Sequence, residues 1–103
     1  MKFIVTINLP VAAGNAAVRA GKLGEKIQAI LEEIKPDAVY FAADNGMRTT
    51  IMVVDLADAS QIPAIAEPWF LAFDASIDIQ PVMLPEDLAA AGPAIENAVK
   101  KFG

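Results

Sequence analysis

Residues 39–56 constrain the fold more than any other stretch of the chain. Val39 to Ala43 and Thr49 to Leu56 are two apolar runs, with Asp44-Asn45-Gly46 between them. Asn and Gly both tolerate the positive φ angles of a tight reverse turn, so the segment predicts a β-hairpin. Thr49, Ile51 and Val53 occupy one face of its second strand, and Thr50, Met52 and Val54 the other. Both faces are largely apolar. An antiparallel strand with one side in water normally carries a polar face, so something must cover both sides of this one.

The remaining segments arrange themselves around the hairpin. Phe3, Val5, Ile7 and Leu9 alternate with Lys2, Thr6 and Asn8, a strand that Pro10 ends. Asn15 reads as the N-cap of a helix carrying Ala16, Ala20, Leu23, Ile27, Ile30, Leu31 and Ile34, which stops at Lys35-Pro36. Gly21 and Gly24 weaken that helix by about 1 kcal/mol each relative to alanine and mark close packing or a bend. After the hairpin, Ser60 reads as the cap of a second helix bearing Ile62, Ile65, Ala66, Trp69 and Phe73. Pro63 fits its first turn, whereas Pro68 predicts a kink or a split around Glu67-Pro68. Ile77, Ile79 and Met83 alternate with Asp78, Gln80 and Val82 in a last strand, and Pro81 points to a sheet edge. Leu84 to Asp87 opens a short helical turn, Gly92-Pro93 interrupts it, and Ile95, Ala98, Val99 and Phe102 form a final amphipathic helix.

This order, strand-helix-strand-strand-helix-strand and a helical tail, is the ferredoxin-like βαββαβ arrangement. It predicts an α+β fold with a four-stranded antiparallel sheet, helices on one face, and one domain over residues 1–103. The second apolar sheet face predicts a homodimer in which two open sheets meet and each tail braces the partner. Composition agrees: 103 residues that are 55% hydrophobic carry more apolar surface than one small core hides. The surplus goes to a subunit interface or a ligand cavity.

Absences narrow the chemistry. The chain has no histidine and no cysteine. It therefore lacks the commonest neutral-pH base, the thiolate nucleophile and the best ligands for zinc, copper and haem iron. Ser60 and Ser76 have no activating partner. Asp55 with Asp58, Asp74 with Asp78, and Glu86 with Asp87 lack the spacing of a hard-cation loop, so neither a metal nor a cofactor is expected. A net charge of −5 repels phosphate backbones and argues against a nucleic-acid partner. No apolar run reaches the roughly 18 residues that span a bilayer, and the first residues lack the pattern of a signal peptide. A cytoplasmic protein away from membranes is the expectation.

Several short motifs together carry a resemblance: Tyr40-Phe41, Gly46-Met47-Arg48-Thr49, Val53-Val54-Asp55, Ile62-Pro63, Glu67-Pro68, Gln80-Pro81-Val82-Met83 and Glu86-Asp87-Leu88. Residues 37–88 resemble a group of small bacterial proteins in the dimeric α+β barrel superfamily whose function is unassigned. The resemblance implies a barrel-like dimer and carries over no catalytic residues. The wider superfamily includes cofactor-free monooxygenases, muconolactone isomerases, haem-degrading enzymes and binding modules, so the fold does not choose among them.

Tyr40, Arg48 and Glu67 are the candidate catalytic residues. Arg48 suits bidentate capture of a carboxylate or enolate. Tyr40 suits donation to developing negative charge, and Glu67, raised by burial, suits a base. Asn8, Tyr40, Arg48, Trp69 and Asp78 are the candidate ligand-binding residues. The competing readings are structural: an Arg48–Glu67 ion pair, a rim tyrosine, and Trp69, Phe70 and Phe73 as core. Whether Tyr40 and Arg48 share a face depends on the hairpin register, which the sequence leaves open. Two functions fit: a homodimeric domain that binds a small organic molecule or another protein, or a cofactor-independent isomerase or monooxygenase acting on a small acidic or aromatic substrate.

Overall fold

A computed structural model describes all of residues 1–103. Four strands, β1 (Lys2–Asn8), β2 (Ala38–Asp44), β3 (Met47–Asp55) and β4 (Ser76–Pro81), form one antiparallel sheet in the order β2-β3-β1-β4. α1 (Val11–Arg19) and α2 (Leu23–Ile34) link β1 to β2, and α3 (Ile62–Phe73) links β3 to β4. α4 (Pro85–Ala90) and α5 (Gly92–Phe102) follow the sheet. The expected α+β ferredoxin-like sheet is present, with Pro81 on an edge strand. β1 is an inner strand, paired with β3 on one side and β4 on the other.

The register is set by the hairpin. Asn45 and Gly46 both have positive φ, 52° and 74°, and leave a two-residue loop closed by Asp44 opposite Met47. Such a turn matches the right-handed twist of its strands. Counting back, Tyr40 lies opposite Ile51 and Ala43 opposite Arg48. Side chains alternate along a strand, so Val5, Ile7, Thr50, Met52 and Val54 point to the helices and are buried. The core on that side is completed by Leu9, Ile30, Ile65, Trp69 and Phe73.

The other sheet face has three cross-strand rows: Ala38–Val53–Ile4–Gln80, Tyr40–Ile51–Thr6–Asp78, and Ala42–Thr49–Asn8–Ser76. It is largely apolar on β2 and β3, mixed on β1, where Thr6 and Asn8 follow Ile4, and polar on β4. No helix of this chain covers it.

The helices depart from expectation in four places. Pro10, with φ already at −54°, starts α1 at Val11, so Asn15 lies inside the helix and does not cap it. The expected single helix is two, separated at Gly21, whose φ of 69° turns the chain. Asp58, not Ser60, caps the next segment, accepting from the Ser60 amide at 2.9 Å while Gln61 reaches back to the Asp58 amide. After a 3₁₀ turn at Ala59–Gln61, α3 runs through Pro68 as one element. Buried Ile65, Ala66, Trp69 and Phe73 hold it against the core on both sides of the missing amide bond. α2 and α3 both end in left-handed caps, Lys35 and Asp74, whose amides reach back to Leu31 and Phe70.

At the lower end of the sheet, Lys2 pairs with Asp37 and with Asp55 (3.3 Å), and the Met1 ammonium lies 2.7 Å from Asp55. The hydrogen bond from the ammonium, then that from Lys2, holds the Asp55 carboxyl below its ordinary 3.8. The Ser60 hydroxyl, then its amide, does the same for Asp58. The hydrogen bond to Asp37 leads in raising Lys2 above 10.5. Depressed carboxylates stabilise the fold at neutral pH and lose that contribution as pH falls through their lowered values; the Lys2 contribution is lost only as pH rises past 10.5. Urea midpoints are therefore expected to fall below about pH 4. Asp58→Asn, which keeps an acceptor oxygen but no titratable charge, should remove part of that acid slope. An unchanged slope would show that Asp58 does not contribute.

Candidate functional site

The structure separates the three residues proposed for catalysis. Tyr40 projects from the open sheet face and is 63% exposed. Arg48, of opposite parity in the register, points to the helix side. Glu67 is exposed on α3, beside a different groove. The Arg48–Glu67 ion pair does not form either; no carboxylate lies within 4 Å of Arg48.

The proposed ligand-binding residues divide in the same way. Asn8, Tyr40 and Asp78 share the open face, but Tyr40 and Asp78 stand at opposite ends of one row, three strand spacings or about 14 Å apart. Asn8 is engaged by Thr49, whose hydroxyl donates to its Oδ1 at 2.8 Å. Trp69 has no exposed surface and no access to a ligand on either side of the sheet. Only Arg48 stands at a cavity of ligand size.

That cavity is an open cleft of about 630 Å³ between α2 and the β2–β3 hairpin. Leu9, Leu23, Ile27, Leu31, Val39 and Phe41 supply most of its wall, and Arg48 is its one charged residue. Leu23, Ile27 and Leu31 recur every four residues and so line one face of α2. Gly24 also lines the cleft, and a Cβ built there would meet nothing within 4 Å, so the cleft stays open beside it. Gln28, Thr49 and Thr50 are the neutral polar residues of the lining. An apolar cleft with few polar groups is the usual form of a small-molecule site.

Arg48 is held in place from α1. Its Nη1 donates to Asn15 Oδ1 at 3.0 Å. Gly14 leaves room for the guanidinium: a Cβ there would come within 2.7 Å of Nη1. The remaining donors of the guanidinium have no protein acceptor within hydrogen-bonding distance. The arrangement can take one anionic group at the edge of an apolar cleft. No carboxylate, lysine or tyrosine side chain lines the cleft; the hydroxyl-bearing residues of its wall are Thr49 and Thr50.

The sequence singles out Arg48 but not Gly14 and Asn15 as its supports, and it shows Leu23, Ile27 and Leu31 only as residues at helical spacing. The signal for the first two would have been a polar residue after a small one on the same helix turn, which is too common to be decisive.

A family model described as a domain of unknown function (DUF3303) matches residues 1–96. The chain belongs to this family. The match runs from β1 through the first residues of α5, so it takes in Gly14, Asn15, Arg48 and the start of the helical tail. No curated protein matches the chain. No helix is long and apolar enough to cross a membrane.

Proposed function

We propose that this chain is a homodimeric binding domain for a small organic acid with an apolar body. The acid lies between α2 and the β2–β3 hairpin, and Arg48 takes its carboxylate. The observation that carries the reading is a guanidinium with no acidic partner, steadied by Asn15, as the one charge of an apolar cleft. An apolar acid satisfies both halves of that cleft at once; a neutral or cationic ligand leaves the guanidinium unanswered. The uncovered sheet face supports the dimer, with subunits meeting face to face as in the α+β barrel arrangement.

Decanoate and 1-naphthoate, each compared with its primary amide by calorimetry, test the reading. The acids are expected to bind about tenfold or more tightly than the amides, the usual worth of a charge-assisted hydrogen bond. Arg48→Leu should remove the preference while leaving the fold intact. Gly14→Ala should weaken acid binding by displacing the guanidinium from Asn15. Equal affinity for acid and amide in the unmodified protein would overturn the proposal.

A further inference from the structure

The helical tail is an arm with nothing to pack on. It leaves the sheet after Val82, whose amide donates to the Lys2 carbonyl, and its own backbone hydrogen bonds are local. Val99 is 62% and Phe102 88% exposed, and with Ile95 they form a stripe along one side of α5. Lys100 and Lys101 flank that stripe. The arm stretches the molecule to 59 Å against 27 and 20 Å in the other directions. Its radius of gyration is 17.4 Å, where a compact chain of this length has about 13 Å.

A groove with the complementary character lies near the end of the sheet from which the arm departs. It has a volume of about 540 Å³ and is bounded by α3, the C-terminal end of α2 and the end of β3. Ile34, Leu56, Ile65 and the 82%-exposed Leu71 give it apolar walls. Glu33, Asp55 and Glu67 stand around it. Asp55 is engaged by Lys2 and the Met1 ammonium, but no cation lies within 4 Å of Glu33 or Glu67.

We propose that α5 of each subunit docks in this groove of a second copy. Ile95, Val99 and Phe102 lie against Ile34 and Leu71, and Lys100 and Lys101 face Glu33 and Glu67. The inference rests on the face-to-face dimer proposed above. The second copy is the occupant because one chain carries both halves of the fit, an apolar helix stripe whose last turn is basic, beyond Glu96, and an acidic apolar groove. Reach agrees. The 85–102 arm is about 27 Å long at 1.5 Å per residue. The path from one sheet to the partner's helix layer is about 10 Å between sheets and another 10 Å for a helix. A two-fold axis between the sheets and along the strands keeps both arm roots at one end, so the exchange closes on itself.

The absence of native cysteine makes the test direct. An Ala64→Cys/Val99→Cys variant, treated with a short bismaleimide, should give a covalent dimer. A cross-link confined to one chain overturns the proposal. So does no cross-link in a protein that light scattering shows to be dimeric, an outcome that leaves the sheet-face dimer standing. A monomer throughout overturns both. Independently, Glu33→Lys/Glu67→Lys should weaken dimerisation about tenfold, and adding Lys100→Glu/Lys101→Glu to the same chain should restore it. Unchanged dimerisation in the first of these overturns the arm's placement.

Discussion

Trp69→Ala is expected to lower the free energy of unfolding by about 3–5 kcal/mol. Trp69 has no exposed surface and packs against Phe73, with ring centroids 6.2 Å apart. Lys26 Nζ lies 5.8 Å from the centroid of the Phe73 ring, so the aromatic pair also joins α3 to α2. Truncation opens a cavity at the point where both helices meet the sheet. Against a typical domain stability of about 5–15 kcal/mol, the loss leaves a marginal fold. Because Trp69 is the chain's one tryptophan, the measurement is urea unfolding followed by circular dichroism. Trp69→Phe is the informative companion. It keeps most of the volume and removes an indole N–H that has no acceptor, an arrangement that costs about 1–3 kcal/mol where it is buried. Its loss should therefore be far smaller than that of alanine. A loss below about 1 kcal/mol for Trp69→Ala would mean that the core does not depend on this contact.

The elements of the sheet were legible in the sequence because their signals are local. Asn45-Gly46 announced the hairpin, alternation gave β1 and β4, and Pro81 marked an edge. What escaped was decided by contacts between distant residues. Asn15 has the chemistry of a helix cap, but Pro10 starts the helix earlier and Arg48, 33 residues away, takes its side-chain oxygen. Ser60 and Asp58 are both good caps, and only the backbone path shows which oxygen meets the free amide. Pro68 should break a helix, yet buried neighbours on both sides hold α3 through it. The candidate site suffered most. Tyr40 and Arg48 are close in sequence and adjacent to one turn, but the two-residue loop puts them on opposite faces. The cleft itself depends on how α2 lies over β2 and β3, which no periodicity reports. Arg48 could be picked out because a cation among apolar strand residues needs an explanation wherever it points.

Ile51→Lys should weaken the proposed dimer by about two orders of magnitude or more while leaving the subunit folded. Ile51 sits mid-row on the open sheet face, between Tyr40 and Thr6. In an isolated subunit a lysine there can turn its ammonium to water along its own aliphatic stem. In a face-to-face dimer the same ammonium is buried without a partner, at a cost of about 3–5 kcal/mol. That difference sets the expected shift in the dimer constant. Sedimentation across a dilution series reads it, and circular dichroism checks the fold. Gln80→Lys, at the polar end of the neighbouring row on edge strand β4, is expected to change assembly little. Equal assembly by Ile51→Lys and the unmodified chain would remove this face as the interface. Binding then separates the two halves of the functional proposal. The acid cleft opens on the helix side of the sheet, so the Ile51→Lys monomer should still prefer decanoate to its amide. If that preference disappears with the dimer, the cleft is not a site of one subunit, and the role of Arg48 would have to be sought in the assembled pair.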